Sequence, residues 1–176
     1  KASQNKKGKT IVSIFVNPTQ FNKKDDFKKY PRNINKDIAI LEKLNVEYLF
    51  TPNTKDIYKF KAKKFNLKKK DKILCAKYRI GHFEGVLNVM NRLMTIIKSK
   101  DLYMGEKDYQ QLYLIKKFLS KKFKVRINSC PTIRINNIAL STRNKLLKKR
   151  SIKKASEIAL FLKKVKYKSK FEGTKL

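Results

Sequence analysis

The sequence predicts an α/β fold built on a doubly wound parallel sheet. Short runs rich in β-branched and aromatic residues alternate with longer segments whose apolar residues recur at helical spacing. Proline or glycine closes the main strand-like runs, which suits strands that end in turns. Strands that alternate with helices in this way are typical of parallel sheets, and 176 residues suffice for one main domain with its own core.

The first part of the chain predicts a strand, a helix and a second strand. The first strand covers residues 11–16, where the run IVSIFV gives way to Asn17 and a proline. Apolar residues at helical spacing predict a helix over 34–45, with Asn45 as its C-terminal cap. Residues 46–50 supply the second strand, so the segment forms a βαβ unit.

The alternation continues beyond residue 50. A lysine-rich stretch over 59–72 has no clean period and is expected to be irregular or a short edge strand. A well-marked helix follows, with a buried face of Val86, Val89, Met90, Leu93 and Ile97. The remaining predicted elements are a strand at 102–104, a helix over 109–119, a strand at 123–129, an apolar step at 138–140 and a lysine-rich helix of roughly 148–166.

The chain carries a formal net charge of +33, from 46 Lys and Arg against 13 Asp and Glu. Such basicity would normally favour binding to nucleic acid or a membrane surface. The positive residues are 39 lysines and only 7 arginines, however, and the lysines are spread over every predicted element. A dedicated nucleic-acid surface uses arginine and clusters its charge, so we attribute the basicity to genome composition. We expect no specific nucleic-acid partner, only non-specific attraction to polyanions at low salt.

Cysteine usage and hydropathy exclude several classes of protein. Cys75 and Cys130 lie far apart and the chain has one histidine, so neither a zinc site nor a disulfide framework is predicted. That histidine, His82, has no carboxylate beside it in the sequence and by itself would be structural. Residues 1–10 lack the apolar core of a signal peptide, and no apolar run reaches the ~20 residues that span a bilayer. The sequence therefore predicts a soluble, cytoplasmic protein without a membrane partner.

Residues 105–111 (GEKDYQQ) hold the densest group of chemically useful side chains. They join a predicted strand to the next helix, and a helix N-terminus offers amide donors and partial positive charge to a phosphate. Lys107 adds a mobile positive charge, and Asp108 can cap the helix or accept from sugar hydroxyls. Gly105 permits backbone conformations that are closed to other residues. A charged turn with an aspartate N-cap is the alternative.

Polar residues also follow two other apolar segments. Asn17 and Gln20 come after the first predicted strand, where open α/β sheets bind ligands, although plain turn chemistry would explain them as well. Ser141, Thr142 and Arg143 offer two hydroxyls and an arginine that can grip phosphate oxygens. By themselves these three residues could equally form a helix N-cap.

Five short stretches resemble the pantothenate synthetase family of adenylate-forming nucleotidyltransferases, in the same order and at similar spacings. The similarity runs from about residue 11 to about residue 150. Five motifs in the same order are more specific than any single motif. One of them, a run of seven residues, matches the family pattern at every position. The stretches are VSIFVNPTQF at 12–21, YPR at 30–32, RIGHF at 79–83, GEKDYQQ at 105–111 and LSTRN at 140–144.

The resemblance implies a Rossmann-like ligase that condenses pantoate with β-alanine through pantoyl adenylate, a step towards pantothenate and coenzyme A. ATP would be the nucleotide substrate, with Mg²⁺ carried on its phosphates, and the enzyme would be a cytoplasmic homodimer. The implied catalytic residues are Lys107 and Arg143. The implied contacts of pantoate and β-alanine are Gln20, Gln111, Asn17, Arg79 and His82. The implied ATP contacts are Gly105, Glu106, Lys107, Asp108, Ile133, Leu140, Ser141, Thr142 and Arg143.

The chain departs from the family pattern at both ends. No His-x-Gly-His-like phosphate loop precedes residue 11, and residues 166–176 are polar where the family continues into a small C-terminal domain. We therefore expect an internal portion of the enzyme that lacks the first, central strand of the sheet and is inactive alone. The expected organisation is a polar segment at 1–10, the nucleotide- and pantoate-binding α/β domain at 11–150 and the start of the C-terminal domain at 151–176.

Two other functions are consistent with parts of the sequence. Another adenylyl- or cytidylyltransferase of the superfamily would share the fold and the loop at 141–144. It would have no reason to keep Gln20 and Gln111 together, whereas an amide pair suits a small hydroxy acid such as pantoate. A basic nucleic-acid-binding protein would show clustered arginines and exposed aromatic residues, and the sequence gives no sign of either.

Overall fold

The computed structural model describes residues 8–18, 21, 24–30, 33–59 and 65–172 of the chain. The predicted site residue Gln20 lies outside the described residues, as do Pro31 and Arg32 of the YPR stretch. The chain divides into two compact units, Lys1–Cys130 and Pro131–Leu176. The boundary expected after residue 150 stays a prediction.

The first unit begins with the predicted βαβ segment. Its elements are β1 (Ile11–Ser13), α1 (Lys24–Lys29), α2 (Ile34–Lys43), β2 (Tyr48–Phe50) and α3 (Thr54–Tyr58). β1 and β2 pair in parallel with Ile11 opposite Tyr48, and both strands are shorter than predicted. The apolar pattern does not predict α1 or α3, which are too short to show a helical period.

Asparagine residues fix two helix ends in this segment. Asn45 has a φ of 50°, and its N–H donates to the Glu42 carbonyl at 2.9 Å, which confirms that it closes α2. Asn53 starts α3 with a capping box. Its Oδ1 accepts from the Asp56 N–H at 3.0 Å, while the Asp56 carboxylate accepts from the Asn53 N–H at 2.8 Å. This local pair of bonds, rather than apolar periodicity, makes the five residues of α3 helical.

The second half of the first unit continues the alternation. Its elements are α4 (Cys75–Tyr78), α5 (His82–Ile97), β3 (Asp101–Gly105), α6 (Tyr109–Phe123) and β4 (Arg126–Cys130). β3 and β4 pair in parallel, with Asp101 opposite Arg126. β4 begins later than predicted because α6 runs on to Phe123 and ends at Lys124, whose φ is 49°. In the lysine-rich stretch, the described residues from 65 onward form an irregular segment with one 3₁₀ turn, Lys69–Asp71.

The second unit consists of a hairpin, a 3₁₀ turn and a long helix. Its elements are β5 (Arg134–Ile135), β6 (Ile138–Ala139), the 3₁₀ turn Thr142–Leu146 and α7 (Lys149–Glu172). β5 and β6 are antiparallel, and Asn136 and Asn137 between them have φ values of 49° and 63°. Asparagine tolerates this left-handed conformation, which two-residue hairpin turns require. The predicted apolar step at 138–140 is thus one strand of a hairpin that the sequence analysis did not foresee.

Helix α5 is the structural centre of the first unit. Its predicted buried face is largely confirmed, since Val86, Val89 and Leu93 are buried and Met90 is half-buried. One core cluster joins α5 to α6 and to β3 and β4, and a second joins α5 to α3 and to residues of β1 and β2. Met90 packs against both clusters. The helix therefore holds the two strand pairs of this unit on a common support.

The two strand pairs do not form one continuous sheet. Within the described residues, β1–β2 and β3–β4 are separate pairs. A cavity of about 540 Å³ is lined by β1, by the first half of β3 and by one side of α5. The α5 residues that line it are Met90, Leu93, Met94 and Ile97. The described residues therefore leave an open space beside these two strands, and the expected absence of a central strand stays a prediction.

Backbone groups of alternate strand residues are directed towards that cavity. The residues of a parallel strand bond alternately to the neighbours on their two sides. The Thr10 carbonyl accepts from the Tyr48 N–H at 3.1 Å, and the Lys100 carbonyl accepts from the Arg126 N–H at 2.9 Å. The alternate residues therefore direct their N–H and C=O groups away from β2 and β4. These residues are Ile11, Ser13, Asp101 and Tyr103, and all four line the cavity.

Candidate active site

The 105–111 stretch connects the end of β3 to the start of α6. Gly105 is the last residue of β3, the 3₁₀ turn Glu106–Asp108 follows, and α6 begins at Tyr109. The side chains of Lys107 and Asp108 are exposed, with Lys107 Nζ 3.9 Å from Asp108 Oδ2. The stretch thus places a cation and a carboxylate in solvent at a helix N-terminus, which favours anions.

The structure corrects two expectations about this stretch. Asp108 occupies the N-cap position of α6, but its side chain makes no capping hydrogen bond. The aspartate N-cap alternative is therefore wrong. Gly105 has an ordinary φ of −71°, so its backbone does not require glycine. A Cβ at this position would meet nothing within 4 Å, which leaves open space beside the Gly105 Cα.

The two glutamines at the start of α6 have different surroundings. Gln110 Nε2 donates to the Ile73 carbonyl at 2.7 Å and so ties the helix to the segment that leads into α4. Gln111 is half-buried in the first turn of α6. The structure brings the 105–111 stretch beside the segment before Arg79, a link for which the sequence carries no signal.

Arg79 and His82 occupy opposite environments. Arg79 is exposed at the end of α4, and its carbonyl accepts from the His82 N–H at 3.1 Å. His82 is buried as the first residue of α5, and its ring packs edge-on against Phe83 at 4.9 Å between centroids. Gly81 makes this turn with a φ of 77°, a conformation that other residues rarely adopt. The His82 ring is therefore held by its packing at the start of α5, whereas the Arg79 side chain lies at the surface.

Asn17 lies just past β1 and is 2% exposed. The hydroxyl of Tyr58 donates to its Oδ1 at 2.5 Å, across 41 residues of sequence. Tyr58 ends α3, a helix that the sequence analysis did not predict. The sequence analysis therefore missed Tyr58. A tyrosine at the end of a helix that starts with an Asn53–Asp56 capping box is the signal that could have found it.

The predicted phosphate and adenine contacts of the second unit surround its hairpin. Ser141 Oγ accepts from the Arg143 N–H at 3.3 Å, so Ser141 caps the 3₁₀ turn. This agrees with the N-cap alternative given for Ser141 in the sequence analysis. The Arg143 side chain is exposed, and that of Thr142 lies outside the described part of the chain. The N–H of Leu140 donates to the Ile133 carbonyl at 3.0 Å. Both side chains are exposed and offer an apolar surface.

The pKa shifts that have a clear cause belong to the scaffold around the site. A hydrogen bond to the Asp71 carboxylate raises the pKa of Lys117 above its usual value and ties α6 to the turn Lys69–Asp71. Hydrogen bonds to Asp101 likewise raise the pKa of Arg126, which contacts both carboxylate oxygens at 2.6 and 2.8 Å. Lys117 and Arg126 are charged at neutral pH with or without these shifts. Both ion pairs therefore stabilise the positions of α6 and β3 throughout that range of pH.

Neither a resident metal site nor a membrane span is found in the part of the chain that the structure covers. No group of three His, Cys, Asp or Glu among the described residues could hold a metal ion. No described helix combines the length and the apolar character that crossing a membrane requires.

The chain matches proteins of one family in sequence. A profile of the pantoate-beta-alanine ligase family matches residues 1–175, a wider range than that of the five stretches. The pantothenate synthetase of Francisella tularensis subsp. novicida is 46% identical over 153 residues, which are 84% of this chain and 58% of that protein. The bifunctional pantoate ligase/cytidylate kinase of Prochlorococcus marinus is 43% identical over 145 residues, 79% of this chain and 28% of that protein. The chain thus spans little more than half the length of the single-function relative.

Solved structures agree with the sequence match. The crystal structure of pantoate-beta-alanine ligase from Francisella tularensis complexed with beta-gamma ATP and beta-alanine has a TM-score of 0.85 and 43% identity, covering 92% of this chain and 64% of that one. Pantothenate synthetase from Thermus thermophilus has a TM-score of 0.82 and 33% identity, covering 88% and 58%. These similarities confirm the predicted Rossmann-like α/β fold. The chain belongs to the pantoate-beta-alanine ligase family.

Proposed function

We propose that this protein condenses pantoate with β-alanine at the expense of ATP and gives pantothenate, AMP and pyrophosphate. The observation that carries the proposal is the 105–111 stretch, which places Lys107 in solvent at the junction of β3 and α6, beside the open space at Gly105. The family match over residues 1–175 supports the same reaction. A related ligase from Francisella tularensis has been crystallised with beta-gamma ATP and beta-alanine.

The reaction has two steps. A carboxylate oxygen of pantoate attacks the α-phosphorus of ATP, the bond to the pyrophosphate oxygen breaks, and pantoyl adenylate forms. The β-alanine amine then attacks the acyl carbon, and AMP leaves with the bridging oxygen. Neither step needs a covalent bond to the protein, so the protein contributes alignment and charge neutralisation.

The cations of the site act on ATP in this proposal. Lys107 and Arg143 offset the charge that grows as pyrophosphate leaves, and Ser141 and Thr142 donate hydroxyls to the phosphate oxygens. Mg²⁺ would be carried on the phosphates of ATP, as it commonly is in enzymes that use this nucleotide. When bound, the ion neutralises phosphate charge.

Other residues recognise the remaining parts of the substrates. Asp108 and Glu106 accept hydrogen bonds from the ribose, which occupies the open space beside Gly105. Ile133 and Leu140, exposed and joined through their backbones, offer apolar surface to the adenine. The proposed contacts of pantoate and β-alanine are Gln20, Gln111, Asn17, Arg79 and His82. We further propose that the enzyme is a cytoplasmic homodimer, which sedimentation of the purified gene product would test.

Replacing Gln20 or Gln111 with alanine should strongly depress pantoate-dependent exchange of pyrophosphate into ATP in the complete gene product. The hydroxyl and carboxylate of pantoate would lose hydrogen-bond partners, and each such loss costs about 1–3 kcal/mol. The measurement is exchange of labelled pyrophosphate at several pantoate concentrations. Asn66→Ala removes an exposed amide away from these motifs and should leave exchange unchanged. Normal exchange in both glutamine variants would refute the pantoate assignment.

A further inference from the structure

Tyr58 forms a hydrogen bond with Asn17, one of the proposed pantoate contacts. Its hydroxyl donates to Asn17 Oδ1 at 2.5 Å, although the two residues lie 41 positions apart. Asn17 is almost fully buried, so the direction of its amide is set by its protein contacts rather than by water. Because Oδ1 is directed at the Tyr58 hydroxyl, Nδ2, the donor group of the Asn17 side chain, lies on the other side of the amide.

The position of Tyr58 is fixed from the core outward. Ile57, the preceding residue, is buried against Val89 and Leu93 of α5. Arg92 of α5 donates through Nε to the Asp56 carbonyl at 3.1 Å, which holds the middle of α3. The capping box at Asn53 holds its beginning. A five-residue helix that would be marginal alone is thereby joined to α5 at two points and stabilised at its N-terminus by its own capping box.

We infer that Tyr58 is a positioning residue, which orients the amide of Asn17 so that its N–H donors serve pantoate. This inference rests on the proposed function, in which Asn17 contacts pantoate. Pantoate carries a carboxylate and hydroxyl groups, and an N–H donor suits each of these oxygens. An Asn17 amide turned the other way would present its carbonyl oxygen to the carboxylate and repel it. By donating to Oδ1, the Tyr58 hydroxyl favours the orientation that directs Nδ2 to pantoate.

The test combines Tyr58→Phe and Asn17→Ala in a double-mutant cycle in the complete gene product. Tyr58→Phe removes only the hydroxyl and keeps the ring. We expect it to raise the half-saturating pantoate concentration in pyrophosphate exchange roughly five- to tenfold, as loss of one hydrogen bond would. The half-saturating ATP concentration should stay unchanged, which a general loss of folding would not allow. In the Asn17→Ala background, Tyr58→Phe should add no further effect, because the residue through which it acts is gone.

Tyr48→Phe is the matched control. The Tyr48 hydroxyl also makes a side-chain hydrogen bond, from Lys9 Nζ at 3.1 Å, but on the exposed face of β2. Its loss should leave the pantoate dependence unchanged.

The outcomes separate this inference from the proposed function. If Asn17→Ala has no effect on pantoate while the parent enzyme exchanges pyrophosphate, the assignment of Asn17 is wrong, and the inference fails with it. If Asn17→Ala weakens pantoate binding but Tyr58→Phe does not, the inference alone is overturned. Equal and additive effects of Tyr58→Phe in both backgrounds would also overturn it, since they would show that the hydroxyl does not act through Asn17.

Discussion

Replacing Lys107 or Arg143 with methionine should slow pantoyl-adenylate formation about 100- to 1,000-fold in the complete gene product. Each cation acts on charge that grows on the transferring group, so its loss lowers the rate of the chemical step more than it weakens ground-state binding. Methionine keeps an unbranched, apolar stem, and both side chains are exposed, so the fold should be intact. The measurement is single-turnover adenylate formation at saturating ATP and pantoate, with circular dichroism to check folding.

Two exposed cations nearby in sequence serve as controls. Lys116 lies on α6 beyond its first turn, and Arg150 lies at the start of α7. Lys116→Met and Arg150→Met change the net charge by the same amount and should keep nearly the parent rate. If Lys107→Met weakened pantoate binding while the adenylation rate held, Lys107 would be a substrate contact rather than a catalytic residue.

The backbone amides that face the cavity beside β1 and β3 should exchange hydrogen much faster than the amides in the middle of α6. Ile11, Ser13 and Tyr103 direct their N–H groups away from their paired neighbours, towards a space lined by the opposite strand. A buried N–H without a partner costs ~1–3 kcal/mol, a large share of a typical stability of ~5–15 kcal/mol. The structure should therefore open readily at this place. Hydrogen exchange followed by NMR resolves the amides separately.

A strand that fills the cavity should reverse this behaviour. We expect a fused peptide of about six β-branched, apolar residues to protect the three amides and raise the melting temperature. The same peptide with proline at alternate positions cannot donate to both neighbours and should have a much smaller effect. Strong protection of all three amides in the unmodified monomer, together with measurable turnover, would show that these strands need no additional partner.

The fold could be predicted where apolar periodicity is strong. Helix α5 buries Val86, Val89 and Leu93 on one face, and β3 has a compact apolar run, so both were placed correctly. Helix α3 was missed because its five residues depend on the Asn53–Asp56 capping box and on packing against α5. The hairpin of the second unit was missed because its strands have two residues each, too few for an alternating pattern.

The candidate site could be predicted only where it consists of residues that are neighbours in the sequence. The 105–111 stretch is such a place, and the structure puts it at the expected junction of strand and helix. The bond between Tyr58 and Asn17, and that between Gln110 and Ile73, join residues 41 and 37 positions apart. No local pattern encodes such pairs. The role of glycine at position 105 was misjudged for another reason: its φ is ordinary, and what it provides is space.

Transfer of oxygen from pantoate to AMP is the most direct measure of the proposed reaction. The complete gene product would be incubated with ATP, β-alanine and pantoate that carries ¹⁸O in both carboxylate oxygens, and the AMP would be analysed by mass spectrometry. Attack of the carboxylate on the α-phosphorus predicts a single ¹⁸O atom in each AMP, because the bridging oxygen leaves with the nucleotide. Unlabelled AMP, or formation of ADP in its place, would contradict the pantoyl-adenylate mechanism.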